Sequence, residues 1–404
     1  MSDSAFNGIK VLDFCWVVIG PMLTRYLADF GATVVRVESK SRLETLRLSQ
    51  PFKDSIPGVN RSGYFSNYNV NKHGITVNMN SPGAYEFILP LIEWADIITD
   101  NFTPGTMEKW GLGPQELHAI NPRLVIFSAS MLGRNGPQSH QPGYGPVLTS
   151  LAGLSSITGW PDRPASSPYG AYTDFLLPHL GIAAISAALQ QAKSTGEGAH
   201  IDLSQLEASV QYLAPLILDT QINDRIAERL GNSDPEFAPH SVYRCAGEDR
   251  WCAIACETDS QWEDLCNAMG NGALSKDLRF NNKENRKSNE LELDKIIESW
   301  TVKLDPFDVM EICQKYNIPS GVVQSCEDLF KDTQLEHRDH FIRINHPEIG
   351  VHATDGNAFI LSESPAKYSR PAPLLGQHNE MVCKEILGLS DDSINRLYRE
   401  GVLE

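Results

Sequence analysis

Residues 8–38, GIKVLDFCWVVIGPMLTRYLADFGATVVRVE, carry the strongest fold signal in this chain. An apolar strand pattern is followed by a helix pattern and then by a second strand pattern. The apolar residues of the helix recur at i, i+3, i+4 and i+7 and so share one face: Leu23, Tyr26, Leu27 and Phe30. Strand, helix and strand in this order predict a βαβ unit with parallel strands.

The same alternation continues to about residue 130 through AYEFILPLIEWA, DIITDNF and RLVIFSAS. It predicts a mostly parallel, doubly wound α/β sheet, in which ligands bind beyond the carboxyl ends of the strands. The first strand-to-helix turn, CWVVIGP, has a single glycine and lacks the G-x-G-x-x-G pattern. A nicotinamide-dependent dehydrogenase is therefore excluded on its missing dinucleotide fingerprint.

The composition changes near residue 220, where a smaller domain is predicted to begin. The segment 221–325 contains the strand-like WCAIACE, the polar KDLRFNNKENRKSNE and amphipathic helices near ELDKIIESW and FDVMEICQKY. We assign residues 1–220 to a large Rossmann-like domain, to which 326–404 return, and 221–325 to a small α/β domain.

The charge and cysteine content restrict the partners. The 404 residues carry a formal net charge of −17, which opposes binding to nucleic acid or to an anionic membrane surface. The start lacks a secretory pattern, and a cytoplasmic location is expected. The eight cysteines form no C-x-x-C pair, so reduced thiols and no metal site are expected.

Asp174, in the segment PYGAYTDF, directly precedes an apolar, Ala-rich helix pattern. Its position alone favours a helix N-cap, which accepts hydrogen bonds from free backbone N–H groups. The same environment would keep a nucleophilic carboxylate ionised. No G-x-S-x-G, H-E-x-x-H or P-loop pattern offers another catalytic group.

Several segments together resemble class III CoA transferases, the family of formyl-CoA transferase and carnitine CoA-transferase. They are residues 8–39, NVNKHGITVNM, ADIITDNFTPGTMEKWGL, NPRLVIFSASMLGRNGP, PGYGPVLTSLAGLSSITG, the YTD of 172–174, TGEGAHIDLSQLEA, DLRFNNKENR, NIPSGVV and RPAPLLGQHN. The resemblance spans nearly the whole chain. It implies that Asp174 attacks an acyl-CoA to give a mixed anhydride and then an aspartyl-CoA thioester, with CoA thioester as substrate and no tightly bound cofactor.

The resemblance also implies a set of CoA-binding residues. These are Val17, Val18, Ile19, Ser39, Lys40, Lys72, Asn101, Phe102, Lys109 and Ser130. The lysines have an ordinary alternative, since most lysines are simply solvated. Formyl-CoA transferases have glutamine at the position of Val18, which indicates a less polar acyl pocket here.

Two further positions are assigned to the substrate pocket, Arg134 and Tyr144. Relatives often carry Gln or Glu at the position of Arg134, and an arginine there suits a second substrate carboxylate. The glycine-run loop of formyl-CoA transferases is absent near residues 230–243. These departures predict succinyl-CoA as donor and a dicarboxylic or aryl-substituted acceptor, with benzylsuccinate as the specific candidate.

Two alternatives stay open at this point. An α-methylacyl-CoA racemase would need a base on each face of the α-carbon, and racemases have His followed by Asp where this chain has Tyr144 and Gly145. The second alternative is the binding subunit of a two-chain transferase. The resemblance further implies a ring-shaped monomer interlocked in a dimer, with a second copy or with a paralogue.

Overall fold

The computed structural model describes residues 4–404. Its strands are β1 (Lys10–Asp13), β2 (Thr33–Glu38), β3 (His73–Thr76), β4 (Ile97–Asp100), β5 (Val125–Ser130), β6 (Ala199–Ser204), β7 (His240–Arg244), β8 (Trp251–Ala255), β9 (Ser320–Val322), β10 (Phe341–His346) and β11 (Gly350–Asp355).

The α-helices follow in chain order. They are α1 (Ile19–Asp29), α2 (Gly63–Tyr68), α3 (Ala84–Trp94), α4 (Thr106–Lys109), α5 (Pro114–Ile120), α6 (Gly145–Leu151), α7 (Leu154–Ile157), α8 (Tyr172–Leu176), α9 (Pro178–Thr195), α10 (Gln205–Gln211), α11 (Ala214–Asn223), α12 (Asp259–Ala268), α13 (Lys283–Ser288), α14 (Glu290–Thr301), α15 (Pro306–Lys315), α16 (Cys326–Leu329), α17 (Thr333–His337), α18 (Asn379–Met381) and α19 (Asp391–Arg399).

The large sheet has the order β3-β2-β1-β4-β5-β6, and all its strands are parallel. The predicted doubly wound α/β fold is thus confirmed. The strand order reverses between β1 and β4, which pair from Val11 opposite Ile97 to Asp13 opposite Thr99. In open α/β sheets this switch point opens a crevice at the carboxyl ends of the two strands. The turn after β1 and the residues after β4 therefore meet there.

Helices cover both faces of the sheet. Neighbouring residues of a strand point to opposite sides of the sheet, so each strand contributes to both cores. On one face Leu23 of α1 and Ile185 of α9 pack against Phe127 of β5. On the other face Leu12 of β1 belongs to a core that includes Ile88 of α3. The near-continuous apolar strands thus reflect a sheet that is buried on both sides.

Helix α9 approaches the sheet unusually closely at Gly181. A Cβ at this position would lie 2.3 Å from Leu23 Cδ1 and 2.9 Å from Phe127 Cζ. The segment Tyr172–Thr195 is long and apolar enough to span a membrane by those two measures alone. One face of α9, which includes Ile185 and Leu189, is buried against α1 and β5.

The described residues form two compact units. The first comprises residues 4–154, Ser167–Arg225 and Leu335–Glu404, and the second comprises Ser155–Ser166 and Ile226–Gln334. The predicted division differs in one substantive way, since the stretch Ser155–Ser166 belongs to the second unit rather than to the large domain. Gly153, two residues before Ser155, has a φ of +87°.

The second unit is built on the antiparallel sheet β7-β8-β9. Its core includes Trp262 of α12, Ile297 of α14 and Val309 of α15. The first unit additionally holds the antiparallel hairpin of β10 and β11. Seven of the eight cysteines are buried, Cys326 is exposed, and all eight are free thiols.

Candidate active site

A cavity of about 110 Å³ opens at the switch point of the sheet. Its walls come from the turn after β1, the residues after β4, the end of β5 and the helix pair α6 and α8. The predicted site residues that line it are Val17, Val18, Ile19, Asn101, Phe102, Ser130, Tyr144 and Asp174. The structure thus brings the predicted nucleophile together with much of the predicted CoA-binding set.

Asp174 lies inside the first turn of α8, whose N-cap is Ala171. Its own backbone N–H donates to the Ala171 carbonyl, and its side chain caps no helix. The N-cap interpretation is therefore wrong. The sequence suggested it because the long helix α9 starts only at Pro178, while the separate five-residue helix α8 before it has too little apolar periodicity to be recognised.

Asp174 is 7% exposed and lines the cavity. Burial raises the pKa of Asp174 to about 6, because a carboxylate loses hydration there. No cation among the described residues counters this shift. The carboxylate is therefore ionised at neutral pH but remains poorly solvated, which suits a nucleophile.

Gly145 leaves the space that Asp174 occupies. A Cβ at residue 145 would lie 2.3 Å from Ala171 Cβ and 3.0 Å from Asp174 Oδ2. An aspartate at this position, as racemases have, would collide with the backbone segment that carries Asp174. The site therefore has no room for the aspartate of the racemase His–Asp pair.

Two polar side chains at the cavity, Asn101 and Ser130, differ in their hydrogen bonding. The Asn101 amide is engaged with the backbone of Trp16, accepting from its N–H at 2.8 Å and donating to its carbonyl at 2.7 Å. Ser130 is 4% exposed, and its hydroxyl has no hydrogen-bond partner among residues 4–404. Ser130 is thus available to a ligand, whereas Asn101 holds the turn after β1.

A second cavity of about 180 Å³ adjoins the first, and both are lined by Phe102 and Thr103. Its aromatic walls are Trp16, Phe102 and Trp110, with ring centroids 5.6 Å apart for each neighbouring pair. Such walls suit a flat heteroaromatic group.

The polar side of the second cavity differs from the prediction. Ser39 lines it as expected, although its hydroxyl donates to Glu404 Oε2 at 2.7 Å. Lys40 is exposed and is not part of the lining. Sequence reasoning missed Arg42, whose guanidinium lies 5.4 Å from the Trp16 ring centroid. Its only sequence signal was a basic residue shortly after β2.

Lys72 lines neither cavity, so the structure does not place it with the other predicted CoA-binding residues. Its ammonium group is fully buried and lies 3.3 Å from Asp13 Oδ2. It also donates to the Pro21 carbonyl and to Asn69 Oδ1. Lys109, at the end of α4, is exposed and lines neither cavity.

Arg134 is also placed differently from the prediction. Its guanidinium pairs with Glu108, and its backbone N–H donates to Asp202. It is not among the residues that line the first cavity. The paired guanidinium is therefore not the free cation that the prediction required for a second substrate carboxylate.

The sequence model of CoA-transferase family III matches residues 6–379. The chain belongs to this family. It is therefore a class III CoA-transferase, an enzyme that moves CoA between an acyl-CoA and a carboxylic acid.

Relatives of this CoA-transferase are similar over almost its whole length. The succinate–glutarate CoA-transferase of Agrobacterium fabrum is 31% identical and covers 94% of this chain, which in turn covers 95% of it. The succinyl-CoA–L-malate CoA-transferase beta subunit of Chloroflexus aurantiacus is 30% identical, with 98% of this chain and 97% of the relative covered.

A solved structure agrees with the fold. The crystal structure of a CAIB/BAIF family protein from Brucella suis superimposes with a TM-score of 0.87 at 28% identity. It covers 95% of this chain and 100% of its own. The doubly wound sheet of this CoA-transferase is thus the architecture of a solved family member.

Proposed function

We propose that this CoA-transferase moves CoA from succinyl-CoA to a dicarboxylic acid through covalent intermediates on Asp174. The observation that supports this is a buried carboxylate at the floor of the cavity, with no ion pair to a described cation. A carboxylate that is ionised, poorly hydrated and free of a cation is a competent nucleophile toward a thioester.

The first half of the proposed reaction releases the donor acid. An Asp174 oxygen attacks the thioester carbonyl, the C–S bond breaks, and CoA leaves as a thiolate while a mixed anhydride forms. The thiolate then attacks the aspartyl carbonyl of the anhydride. The donor acid leaves as its carboxylate, and Asp174 remains as an aspartyl-CoA thioester.

The second half runs the same steps in reverse with the acceptor. The acceptor carboxylate attacks the aspartyl thioester and expels the thiolate, which then attacks the acceptor carbonyl of the new anhydride. The product is acceptor-CoA, and the Asp174 carboxylate is regenerated. Each step exchanges one activated acyl group for another, so water must be excluded. Apolar walls such as Val17, Val18 and Leu148 support this exclusion.

CoA is proposed to lie across both cavities. The aromatic walls of the second cavity suit the adenine ring, and Arg42 suits the phosphates in a protein of net charge −17. The thioester end would then reach Asp174 past the shared residue Phe102.

The choice of substrates rests on relatives and on the cavity lining. The relatives from Agrobacterium fabrum and Chloroflexus aurantiacus are named for succinate or succinyl-CoA with a dicarboxylate. None of the described residues that line the first cavity is Lys, Arg or His. A second carboxylate would therefore meet neutral donors, and Ser139, Gln141 and Gln205 are the candidates.

A comparison of donors and acceptors tests this proposal. Succinyl-CoA is expected to support faster transfer than formyl-CoA, and glutarate faster transfer than pentanoate, which lacks its second carboxylate. Benzylsuccinate, L-malate and D-citramalate complete the acceptor panel and identify the substituent the cavity accepts. A preference for formyl-CoA would overturn the proposed donor, and equal rates with glutarate and pentanoate would overturn dicarboxylate recognition.

The pH dependence of the first half-reaction follows from Asp174. Burial raises the pKa of Asp174 to about 6, and only the ionised form attacks. We therefore expect kcat/KM for the thioester to be lost as the pH falls through about 6 and to level off above about pH 7. Initial rates between about pH 5 and pH 8 measure this limb. A plateau extending down to about pH 4.5 would show that Asp174 has the pKa of an ordinary aspartate.

Helix α11 presents an apolar surface that bears on the oligomeric state. Helix α11 has no buried residue and exposes apolar side chains, Leu216, Ile217, Leu218 and Ile222. A partner chain that covers them is the simplest explanation of an apolar surface of this kind, and we propose a dimer with a second copy or with a paralogue. Light scattering of the pure chain, of mass 44.8 kDa, separates monomer from homodimer.

A further inference from the structure

The turn that follows β1 contains a strained residue at the active site. Val17 has a φ of +63°, in the left-handed region that β-branched residues almost never adopt. Val17 lines the same cavity as Asp174. Backbone strain of this kind persists only where surrounding groups hold it.

Side chains from other elements hold the whole turn. The N–H of Cys15 donates to Asp13 Oδ1 at 2.9 Å, and its carbonyl accepts from Arg36 at 2.7 Å. Trp16 is held at both its N–H and its carbonyl by the Asn101 amide. The N–H of Val17 donates to Glu44 Oε1 at 2.7 Å. Every backbone N–H from Cys15 to Val17 is thus fixed by a side chain.

Glu44 connects the strained residue to this set of contacts. Its Oε1 accepts from the Val17 N–H, and its Oε2 accepts from the Arg36 guanidinium. The same guanidinium donates to the Cys15 carbonyl. Hydrogen bonds therefore connect Val17 to Glu44, Glu44 to Arg36, and Arg36 to Cys15, so that the two ends of the turn are linked.

Glu44 belongs to a buried cluster of charges, in which burial raises the pKa of Glu44 to about 7 while the Arg36 guanidinium and the Val17 N–H oppose that rise. Three carboxylates and three cations form one buried cluster in which each residue is at most 2% exposed: Asp13, Glu38 and Glu44 with Arg36, Arg47 and Lys72. Removing one of these charges would leave a partner unpaired in a buried site, which is costly. None of these six residues lines the cavity that holds Asp174.

We propose that Glu44 is a positioning residue for the reaction at Asp174, and that it acts by holding Val17 in its left-handed conformation against the reacting thioester. This inference rests on the proposed role of Asp174. Glu44 does not touch the cavity itself, so it is not catalytic. Displacing the turn would misplace the thioester, and errors of about 1 Å can cost on the order of a hundredfold in rate.

Glu44→Gln is the informative change, because glutamine has one acceptor oxygen where Glu44 has two. Arg36 and the Val17 N–H are both donors, so one of them would face the glutamine NH₂ group. We expect the charged Arg36 guanidinium to bind the glutamine oxygen, which leaves the Val17 N–H without an acceptor. Glycine at residue 17 adopts positive φ without strain, so Val17→Gly removes the need for this bond.

The test compares Glu44→Gln in the Val17 and Val17→Gly backgrounds. The rate of aspartyl adduct formation with succinyl-CoA is expected to fall at least about tenfold in the Val17 background, with KM for CoA thioester little changed. In the Val17→Gly background the same change is expected to cost less than about threefold. Equal losses in both backgrounds, or no loss in either, would overturn the inference.

A matched control and a reserve variant complete the design. Glu38→Gln makes the same chemical change in the same cluster; Glu38 lines the second cavity, but its side chain pairs with Arg47 and Arg36 and not with a backbone N–H of the turn. Its effect is expected to be equal in the two backgrounds, and selective rescue by Val17→Gly would contradict the inference. If Glu44→Gln does not fold, Glu44→Asp replaces it, because aspartate keeps the carboxylate on a shorter side chain. It is compared in the same two backgrounds, with the same expected and contradicting results. A wild-type protein without an adduct would instead refute the role of Asp174.

Discussion

Replacing Asp174 by alanine is expected to lower CoA transfer by about a thousandfold or more, because the covalent route loses its nucleophile. The loss should appear in kcat and in kcat/KM alike, since Asp174 acts on the reacting carbonyl rather than in ground-state binding of CoA. Steady-state transfer from succinyl-CoA to its best acceptor measures it. CoA affinity of the variant, measured by titration, is expected to stay close to that of the wild type.

Asp174→Asn provides the control for folding. A carboxylate whose pKa is raised from 3.8 to about 6 destabilises the folded state when it is ionised. The neutral amide is therefore expected to raise the free energy of unfolding by roughly 1–3 kcal/mol above pH 6. The gain should fade as the pH falls towards 3.8, where both states hold the proton. An inactive Asp174→Asn protein that is less stable than wild type at pH 7 would contradict this account.

Replacing Lys72 by methionine is expected to lower the free energy of unfolding by about 3 kcal/mol. Methionine keeps the length of the side chain but leaves Asp13 with one cation fewer in a fully buried site. Asn69 and the Pro21 carbonyl also lose a donor. Denaturant unfolding at neutral pH measures the change.

Lys109→Met is the matched control for Lys72→Met. Lys109 is exposed, so the free energy of unfolding is expected to stay within about 0.5 kcal/mol of wild type. The two lysines were predicted from the same resemblance, and the pair of variants separates a structural role from a binding role. A stable Lys72→Met protein with a raised KM for CoA thioester would instead support the CoA-binding role that the resemblance implies for Lys72.

The fold could be predicted because its signals are local. The strand and helix periodicities of residues 8–38 reappear as β1, α1 and β2, and the helix ends where Phe30 and Gly31 follow Asp29. The strand order could be expected only by analogy, because the pairing of β1 with β4 joins residues more than 80 positions apart. Assignment of 155–166 to the second unit had no local signal at all.

The site residues were expected from the family resemblance rather than from local patterns. Val17, Asn101 and Ser130 follow or end neighbouring parallel strands, and residues at such positions converge at the switch point. Arg42 and Trp110 were missed because they come from two loops that only the folded chain brings to one cavity.

Ion pairing explains why two predicted cations lie away from the first cavity. A sequence shows that Lys72 and Arg134 are cations but not that Asp13 and Glu108 neutralise them. Glu44 was likewise overlooked, since nothing in the segment SKSRLE indicates a carboxylate that is 1% exposed and bound to a strained turn. Pairings of this kind depend on long-range contacts that single-residue patterns do not contain.

The most direct test of the account is the intact mass of the protein after incubation with succinyl-CoA, for wild type and Asp174→Ala, with hydroxylamine as a trap. We predict a CoA adduct on wild type, a hydroxamate at Asp174 after trapping, and neither on the variant. Transfer by the wild-type protein with no adduct or hydroxamate at Asp174, or an equal adduct on the variant, would contradict the central role of this carboxylate.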